Sequence, residues 1–440
     1  MAVVVTGAGL AGSVVVGEMM VATPDMVSLG VLAGIVDRDR VADAVVVSGA
    51  GAQRAGGKLP PHVVTYLTMA LCLFSDDSYE EVAVKVTGSL SAWGCWDAGW
   101  SPPTASGITQ ARKRLGPTVL ERVFESVAAP VATPATRGAW LAGRRLVAID
   151  GFDVDVPDTA ANAAEFGYAG SGDKRSAFPK TRVVALSECG THVFLAAEIT
   201  ATAVGERTAA TRLYPRLLGD EILCADRGFY SFGAWADAKA GGAELVWRAP
   251  TGLRLPVIEV LGDGTYLSVL IDPAVTSVRR REAILAAAAA GDLAPDTDDA
   301  HLVRVVEYDV PDRNPDGELI VLLSTLTDPA QVRADQIAAA YHERWEQETA
   351  HDQLKTHLRG PGKVLRSRSP DLVRQEIWAW LTVHYAIATV MARAAESSDL
   401  DPDRISFTHA LNLIRRTATG TAAFPPSPLD RHRRPGQRHH

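Results

Sequence analysis

The sequence predicts an α/β protein in which a helical N-terminal region precedes alternating strands and helices. Three observations lead to this class. Residues 26–137 carry apolar residues at helical spacing, residues 138–250 carry short apolar runs alternating with helices, and a long charged helix is predicted from residue 329 onward. A Pro/Ala/Thr-rich joint at 129–137 separates the first two patterns, which indicates a domain boundary.

The composition limits the class of protein. Hydrophobic residues make up 47% and charged residues 22% of the 440, which excludes wholesale disorder. The four cysteines lie far apart without a C-x-x-C pair, which argues against a zinc knuckle or a disulfide framework and favours a reducing cytoplasm. The apolar N-terminus has no Lys or Arg before Arg38 and is interrupted by Glu18 and Asp25, so neither a signal peptide nor a membrane partner is predicted.

The opening TGAGLAG matches the G-x-G-x-x-G spacing of dinucleotide-binding proteins. That motif also needs a strand before it and a second strand ending in an acid, for which Asp37 is the candidate. The residues after Pro24, however, have helical rather than strand spacing. We therefore predict a flexible leader over residues 1–25 and no nucleotide cofactor, whereas the alternative predicts a βαβ unit within residues 1–40.

The N-terminal region is predicted to be entirely helical. In TASGITQARKRLGPTVLERVFESV, a break at Gly116-Pro117 separates two helices, a pattern similar to a helix–turn–helix. Arg112, Lys113 and Arg114 end the first helix and are candidate phosphate contacts. The net charge of −8 does not indicate nucleic-acid binding, but phosphate binding needs only a local basic surface. Residues 359–374 and the arginine-rich tail are further basic stretches; core helices and solvated surfaces are the alternatives.

Two apolar runs after the joint each end in an acid. Arg145–Asp150 precedes a hairpin over 181–199 and a helix over 206–218, and Ile222–Asp226 precedes a helix over 227–240 and a strand over 244–248. Three strands, helix, strand, helix, strand is the order of an RNase H-like domain once a further helix follows. Residues 251–328 predict a mostly β insertion with one alanine-rich helix. The missing helix starts at Asp328-Pro329, where Asp can cap and Pro suits the first turn, and runs to about residue 357.

The predicted long helix places reactive side chains on one face. Tyr341, Arg344, Glu348 and Lys355 fall within roughly a 60° arc at 100° per residue. Acids at strand ends are common, and an exposed helix often uses such charges as ion pairs. Three carboxylates converging from Asp150, Asp226 and this helix would instead hold two Mg²⁺ ions, while Arg344 and Lys355 would bind phosphates.

Four segments together carry a resemblance to a known family. The run YHERWEQETAHDQLK has the Tyr, Arg, Glu and Lys spacing of insertion sequence 4 family transposases. LVAIDGFDVDVPDT and CADRGFYSF resemble that family's two aspartate blocks, and LPPHVVTYLTMALCLFSDDSYEEV with TASGITQARKRLG resembles its N-terminal DNA-binding region. The resemblance covers about residues 26–395.

The resemblance implies a set of catalytic residues and a reaction. The acidic triad and metal ligands would be Asp150, Asp226 and Glu348, with Tyr341, Arg344 and Lys355 as supporting residues. The activity would be cut-and-paste transposition: cleavage at terminal inverted repeats and transfer of 3′-hydroxyl ends into target DNA. It implies Mg²⁺, with Mn²⁺ able to substitute, double-stranded DNA as partner, a homodimer on DNA, and a bacterial, nucleoid-associated location. The competing carboxylates Asp153, Asp155 and Glu346 rank lower because of their positions.

The resemblance also divides the chain into regions. Residues 26–137 form the DNA-binding domain, residues 138–250 and 329–395 form the RNase H-like catalytic domain, residues 251–328 form the β-rich insertion, and residues 396–440 form a C-terminal region with a basic tail.

Two questions stay open from the sequence. Family members form a DNA hairpin in which a flipped base stacks on a Trp of the insertion. This chain has no Trp between Trp247 and Trp345, so Tyr266, Tyr308 or Trp247 would have to replace it. A metal-dependent nuclease that does not join DNA, and a non-catalytic DNA-binding protein derived from a transposase, are the alternative functions.

Overall fold

A computed structural model describes residues 30–51, 59–92, 102–293, 297–309 and 319–419. Within these residues the strands form one sheet of ten in the order β4–β3–β2–β5–β6–β10–β9–β8–β7, with β1 paired to β2. The strands are β1 Trp140–Leu141, β2 Arg144–Asp155, β3 Lys180–Glu188, β4 Phe194–Ala201, β5 Glu221–Ala225, β6 Glu244–Arg248, β7 Glu259–Val260, β8 Tyr266–Ile271, β9 Ala300–Tyr308 and β10 Ile320–Ser324. The predicted leader and most of the basic tail lie outside the described residues.

Helices cover both faces of this sheet. They are α1 Arg38–Val47, α2 Pro61–Leu73, α3 Tyr79–Ala92, α4 Ala105–Leu115, α5 Thr118–Val127, α6 Ala160–Phe166, α7 Glu206–Ala210, α8 Phe232–Ala240, α9 Val278–Ala289, α10 Ala334–His342, α11 Glu346–Asp352, α12 Pro370–Ser397 and α13 Phe407–Ala418. In the described part of the chain, no helix has both the length and the apolar character needed to cross a membrane.

The first five main strands have the predicted RNase H-like order. β2, β3 and β4 are antiparallel neighbours, and β5 and β6 run parallel to β2. The predicted hairpin is β3–β4, whose turn contains Gly190 at φ +80° and His192 at φ +62°. A Cβ at position 190 would collide with the carbonyl oxygen of Arg137, so the turn requires glycine there.

The predicted β insertion has the expected elements and extends the same sheet. β10 pairs antiparallel with β6, with Leu322 opposite Arg248, and β9, β8 and β7 follow outward. Its alanine-rich helix is α9, a few residues earlier than predicted. The insertion therefore covers the edge of β6 that the RNase H-like part would otherwise leave unpaired.

Two predicted helices differ from the structure. The helix predicted over 206–218 is the short α7, followed by turns and a 3₁₀ turn at Tyr214–Arg216. The long helix begins at Ala334 rather than after Asp328, because the Asp263 Oδ2 atom of the insertion accepts a hydrogen bond from the Ala334 N–H at 3.0 Å and caps it.

The long helix is also not continuous. A 3₁₀ turn at Glu343–Trp345 separates α10 from α11, and a π-helical segment at Gln353–Leu358 follows α11. The catalytic face predicted from one uniform helix is therefore divided among three helical geometries.

The helices of the N-terminal region share one core with α12. Phe124 of α5 packs on Trp378 with ring centroids 5.3 Å apart, and both belong to a cluster that reaches the sheet at Phe152 and Phe194. α12 is buried around most of its circumference because it lies between these helices and the sheet. α7 and α8 cover the opposite face of the sheet, where Trp235 and Trp247 are fully buried.

Candidate active site at the ends of the parallel strands

Asp150 and Asp226 lie side by side where the parallel pairing of β2 and β5 stops. The last paired residues are Ile149 and Ala225, and each aspartate is the next residue along the chain. β2 itself continues to Asp155 against β3, so Asp150 lies within the strand and not at its end as predicted. Ala148 and Cys224, two residues before the aspartates, pack in the apolar cluster under α10. Side chains two residues apart point to the same side of a sheet, so both aspartates lie on the side that α10 covers.

Asp150 lies in a place where a carboxylate is costly. Burial raises its pKa to about 6, and the nearby Glu206 and Asp226 add to this rise. The Gly151 N–H, which donates to Asp150 Oδ1 at 2.8 Å, and the Arg344 guanidinium act in the opposite direction. A partly buried acid beside two further acids is an environment that a bound cation stabilises.

Arg344 is the common neighbour of the three predicted acids. Its side chain is largely buried and Nη2 lies 3.7 Å from Glu348 Oε1. Burial, the largest single effect, lowers the pKa of Arg344, but the charges of Tyr341, Asp150, Asp226 and Glu348 together outweigh it and raise that pKa. Arg344 therefore interacts electrostatically with all three predicted acids, and the Glu348 side chain is about half exposed.

The other two predicted residues of this helix differ in accessibility. Lys355 lies in the π-helical segment, and its Nζ atom is 5.7 Å from the centre of the Phe152 ring. Phe152 follows Asp150 by two residues on β2. Tyr341 is 3% exposed, and burial raises its pKa to about 12. The Arg344 guanidinium lies 5.6 Å from its ring. Tyr341 is thus placed to support Arg344, and its burial does not favour a direct contact with DNA phosphate.

The donor atoms fit a hard divalent cation in type but are not assembled. Carboxylate oxygens are the protein ligands that Mg²⁺ prefers. Across the described ranges, however, no three His, Cys, Asp or Glu side chains are arranged to hold a metal ion. Asp150 and Asp226 supply the neighbouring pair, while Glu348 is turned toward Arg344.

His351 is a site residue to which the sequence assigned no role. Its ring lies between Phe152 and Phe194, and Nδ1 is 3.8 Å from Asp150 Oδ2. Burial, with smaller effects from Lys355 and Arg344, lowers its pKa to about 3, so the imidazole is neutral. The signal was its position three residues after Glu348, at the border of the predicted arc.

The competing carboxylates are engaged elsewhere. Asp153 accepts from Arg182 Nε at 3.0 Å and Asp155 from Lys180 Nζ at 2.6 Å. Glu346 accepts from the backbone N–H of Gly190, and burial, with a hydrogen bond that its protonated carboxyl donates to Glu343, raises its pKa. These contacts support the lower rank that the sequence gave them.

The basic run of α4 divides into one buried and two exposed residues. Arg112 is 2% exposed, and its guanidinium donates to Gln375 Oε1, Tyr79 OH, Ser367 Oγ and the Leu372 carbonyl oxygen at 2.8–3.2 Å. The prediction that Arg112 contacts DNA directly is therefore wrong, because its donors are used inside the protein. Lys113 and Arg114 are exposed.

One candidate for base stacking is also excluded. Trp247 is fully buried against Trp235, with ring centroids 5.5 Å apart. Tyr266 is partly buried and donates to Glu307 Oε1 at 2.7 Å, and Tyr308 is partly buried beside His342. Neither tyrosine is freely exposed for stacking.

The strand order and the paired acids define the class: an RNase H-like protein with an acidic site on the face of its last catalytic helix. The profile of the family described as Transposase DDE domain matches residues 141–385, and that described as Insertion element 4 transposase N-terminal matches residues 26–125. The chain belongs to the insertion sequence 4 family of DDE transposases. Enzymes of this class cleave nucleic acid and generally use divalent metal ions.

Two relatives come from Escherichia coli strain K12. The chain is 26% identical over 314 residues to the transposase InsG for insertion sequence element IS4, covering 71% of this chain and 66% of the relative. It is 31% identical over 170 residues to the putative transposase InsZ, covering 37% of this chain and 54% of the relative. The matches thus span just under two thirds and about half of these relatives' lengths. Among solved structures, a piggyBac transposase synaptic complex with hairpin DNA aligns with a TM-score of 0.46 and 10% identity, over 88% of this chain and 79% of that one.

Proposed function

We propose that this protein is a DNA transposase that moves an insertion sequence by cut-and-paste transposition. It cleaves DNA at the terminal inverted repeats of the element and joins the freed 3′-hydroxyl ends to target DNA. The observation that carries the proposal is the pairing of Asp150 with Asp226 at the ends of parallel strands, with Arg344 coupled to both and to Glu348. The family to which the chain belongs supports the same reaction.

In this proposal each residue of the site has a role. Asp150, Asp226 and Glu348 hold Mg²⁺, which Mn²⁺ can replace. Cations held by these three residues would supply Lewis acidity to the attacking water or 3′-hydroxyl and to the leaving oxygen. Arg344 offsets the repulsion among the acids and, with Lys355, binds phosphates beside the scissile bond. His351 holds the Asp150 carboxylate in place by packing between Phe152 and Phe194.

The proposal extends to assembly and location. Pairing two transposon ends requires two active sites, so we propose a homodimer on DNA. The protein acts in the bacterial cytoplasm at the nucleoid, where its DNA substrate lies. Light scattering of the protein with and without transposon-end DNA measures the oligomeric state, and a dimer is expected in the complex.

The test is an end-cleavage assay with the element's own terminal sequences and Mg²⁺. The wild type is compared with Asp226→Asn and with Asp237→Asn, which removes an exposed carboxylate of α8 as a matched control. Cleavage and joining by the wild type and the control, both lost in Asp226→Asn, are expected. Cleavage without joining would indicate the nuclease instead, and no Mg²⁺-dependent cleavage would contradict the catalytic proposal.

A further inference from the structure

A groove of about 500 Å³ lies between the N-terminal helices and the segment before α12. One wall comes from the starts of α3 and α4 and from Lys113, and the other from Arg366 to Ser369. Hydroxyl groups line it, from Ser78, Thr109, Ser367 and Ser369. The groove is therefore an accessible hydrogen-bonding surface formed by distant parts of the chain.

The charge lining this groove is positive. Its cations are Lys113, Arg366 and Arg368, and its acid is Glu80, which is already bound to the Ala105 N–H at 2.6 Å. Lys113 and Arg368 are both exposed, and no ion pair joins either to an acid within the described residues. These two side chains face one another across the groove with their charges available to a ligand.

Two arginines beside the groove hold its surrounding elements together. Arg112 is buried, and it donates to Tyr79, Ser367 and Leu372, which line the groove, and to Gln375 of α12. Arg366 donates to the carbonyl oxygens of Leu71 and Asp77, both at 2.6 Å.

Buried Glu376 belongs to the same hydrogen-bond network. It accepts from the Arg366 and Ser367 N–H groups and from the Ser367 hydroxyl that Arg112 also contacts. These bonds tie α4 to the segment before α12, so they fix the positions of the elements that carry Lys113 and Arg368.

We propose that this groove binds the phosphate backbone of duplex DNA. Lys113 and Arg368 contact phosphates directly, while Arg112 and Arg366 hold the elements around the groove together through their internal hydrogen bonds. The groove has cations and hydroxyls, the donor set of backbone contacts, so it grips DNA without reading sequence. The inference rests on the proposed transposase function and adds to it a DNA contact outside the acidic site.

The test measures binding of the full-length protein to DNA in EDTA, where no cleavage occurs. The double variant Lys113→Gln/Arg368→Gln is compared with Arg279→Gln/Arg393→Gln, which removes two exposed charges elsewhere. Arg393 lies 23 residues beyond Pro370 on α12, roughly 35 Å away. Fluorescence anisotropy at several salt concentrations is recorded with transposon-end DNA and with an unrelated duplex of equal length.

The groove variant is expected to bind both duplexes about tenfold more weakly at physiological salt. The magnitude of the slope of log affinity against log salt should fall by about two, one for each lost phosphate contact. The control variant should keep most of its slope. Unchanged affinity and slope would overturn the proposal, and so would a loss confined to end DNA. Cleavage by the wild type is scored separately with Mg²⁺, so failure of the transposase proposal and failure of the groove give different results.

Discussion

At the residue scale, Asp150 shows why a carboxylate of the proposed active site reduces stability. Its side chain is 25% exposed, its neighbours Glu206 and Asp226 are acids, and burial is the main cause of its raised pKa of about 6. A folded-state pKa above the unfolded value of 3.8 means that ionising Asp150 destabilises the fold. That cost appears as the pH rises from about 4 to 6 and is complete above the folded pKa.

We predict that Asp150→Asn stabilises the metal-free protein in a pH-dependent way. At pH 8 the gain should approach about 3 kcal/mol, because a rise of about two pKa units corresponds to that free energy. Below about pH 3 the gain should disappear, since Asp150 is then largely protonated in both states. Urea denaturation in EDTA at several pH values measures it.

Asp153→Asn is the control for that experiment. Asp153 is bound to Arg182, so its amide variant should lose stability at pH 8 and not gain it. A gain for Asp150→Asn that is independent of pH would contradict the assignment of the cost to its charge.

At the element scale, the broken catalytic helix is held by a buried polar bridge. Gln353 opens the π-helical segment; its Nε2 donates to His192 Nδ1 at 3.0 Å, and its Oε1 accepts from His384 Nε2 at 3.2 Å. His192 Nε2 lies 3.1 Å from Asp403 Oδ1. Burial keeps His384 neutral by lowering its pKa to about 3. This bridge connects the β3–β4 turn, the π-helical segment and α12. Because Lys355 lies in that π-helical segment, the bridge also positions Lys355.

We predict that Gln353→Leu costs roughly 2–4 kcal/mol of unfolding free energy. The leucine keeps the volume but leaves one nitrogen of each of two buried histidines without a partner, and unpaired buried polar atoms are expensive. Chemical denaturation measures the loss. The same change at exposed Gln336, which bonds the Arg333 N–H at the start of α10, should cost less than about 1 kcal/mol. Equal losses at the two positions would contradict the bridge.

At the scale of the whole molecule, the N-terminal helices and α12 form one folding unit. Phe124 packs on Trp378, Arg112 bonds Gln375, and Tyr66 to Phe74 of α2 share the same core. A core assembled from residues more than 250 positions apart cannot close within either part alone. The joint at 129–137 is thus a connection between packed elements.

We predict that residues 26–137 expressed alone lack a cooperative fold. Without α12 their apolar faces stay exposed, and Arg112 loses Gln375 and Ser367. Circular dichroism should show a broad melt for this fragment, and a sharp transition should return when residues 138–440 are added. A sharp melt of the fragment alone would show that the N-terminal helices fold independently.

Sequence reasoning predicted the parts of this protein that depend on local pattern. Apolar runs predicted β2, β3, β5 and β6, and their parallel order placed Asp150 beside Asp226. Helical spacing gathered Arg344 and Glu348, and motif spacing identified the family. It could not predict that Arg112 is buried, that the insertion extends the sheet, or that the helix breaks at Glu343–Trp345 and Gln353–Leu358.

The physical reason for this division is the range of the interactions involved. Strand alternation, helical periodicity and the acids that follow apolar runs are set by neighbours along the chain, so the sequence by itself determined the class, the family and the acidic pair. The burial of Arg112 depends on its bond to Gln375. The pairing of the β6 edge depends on β10, and the π-helical segment depends on the contact of Gln353 with His384. Only the tertiary structure decided these, because each requires a buried partner that is distant in sequence.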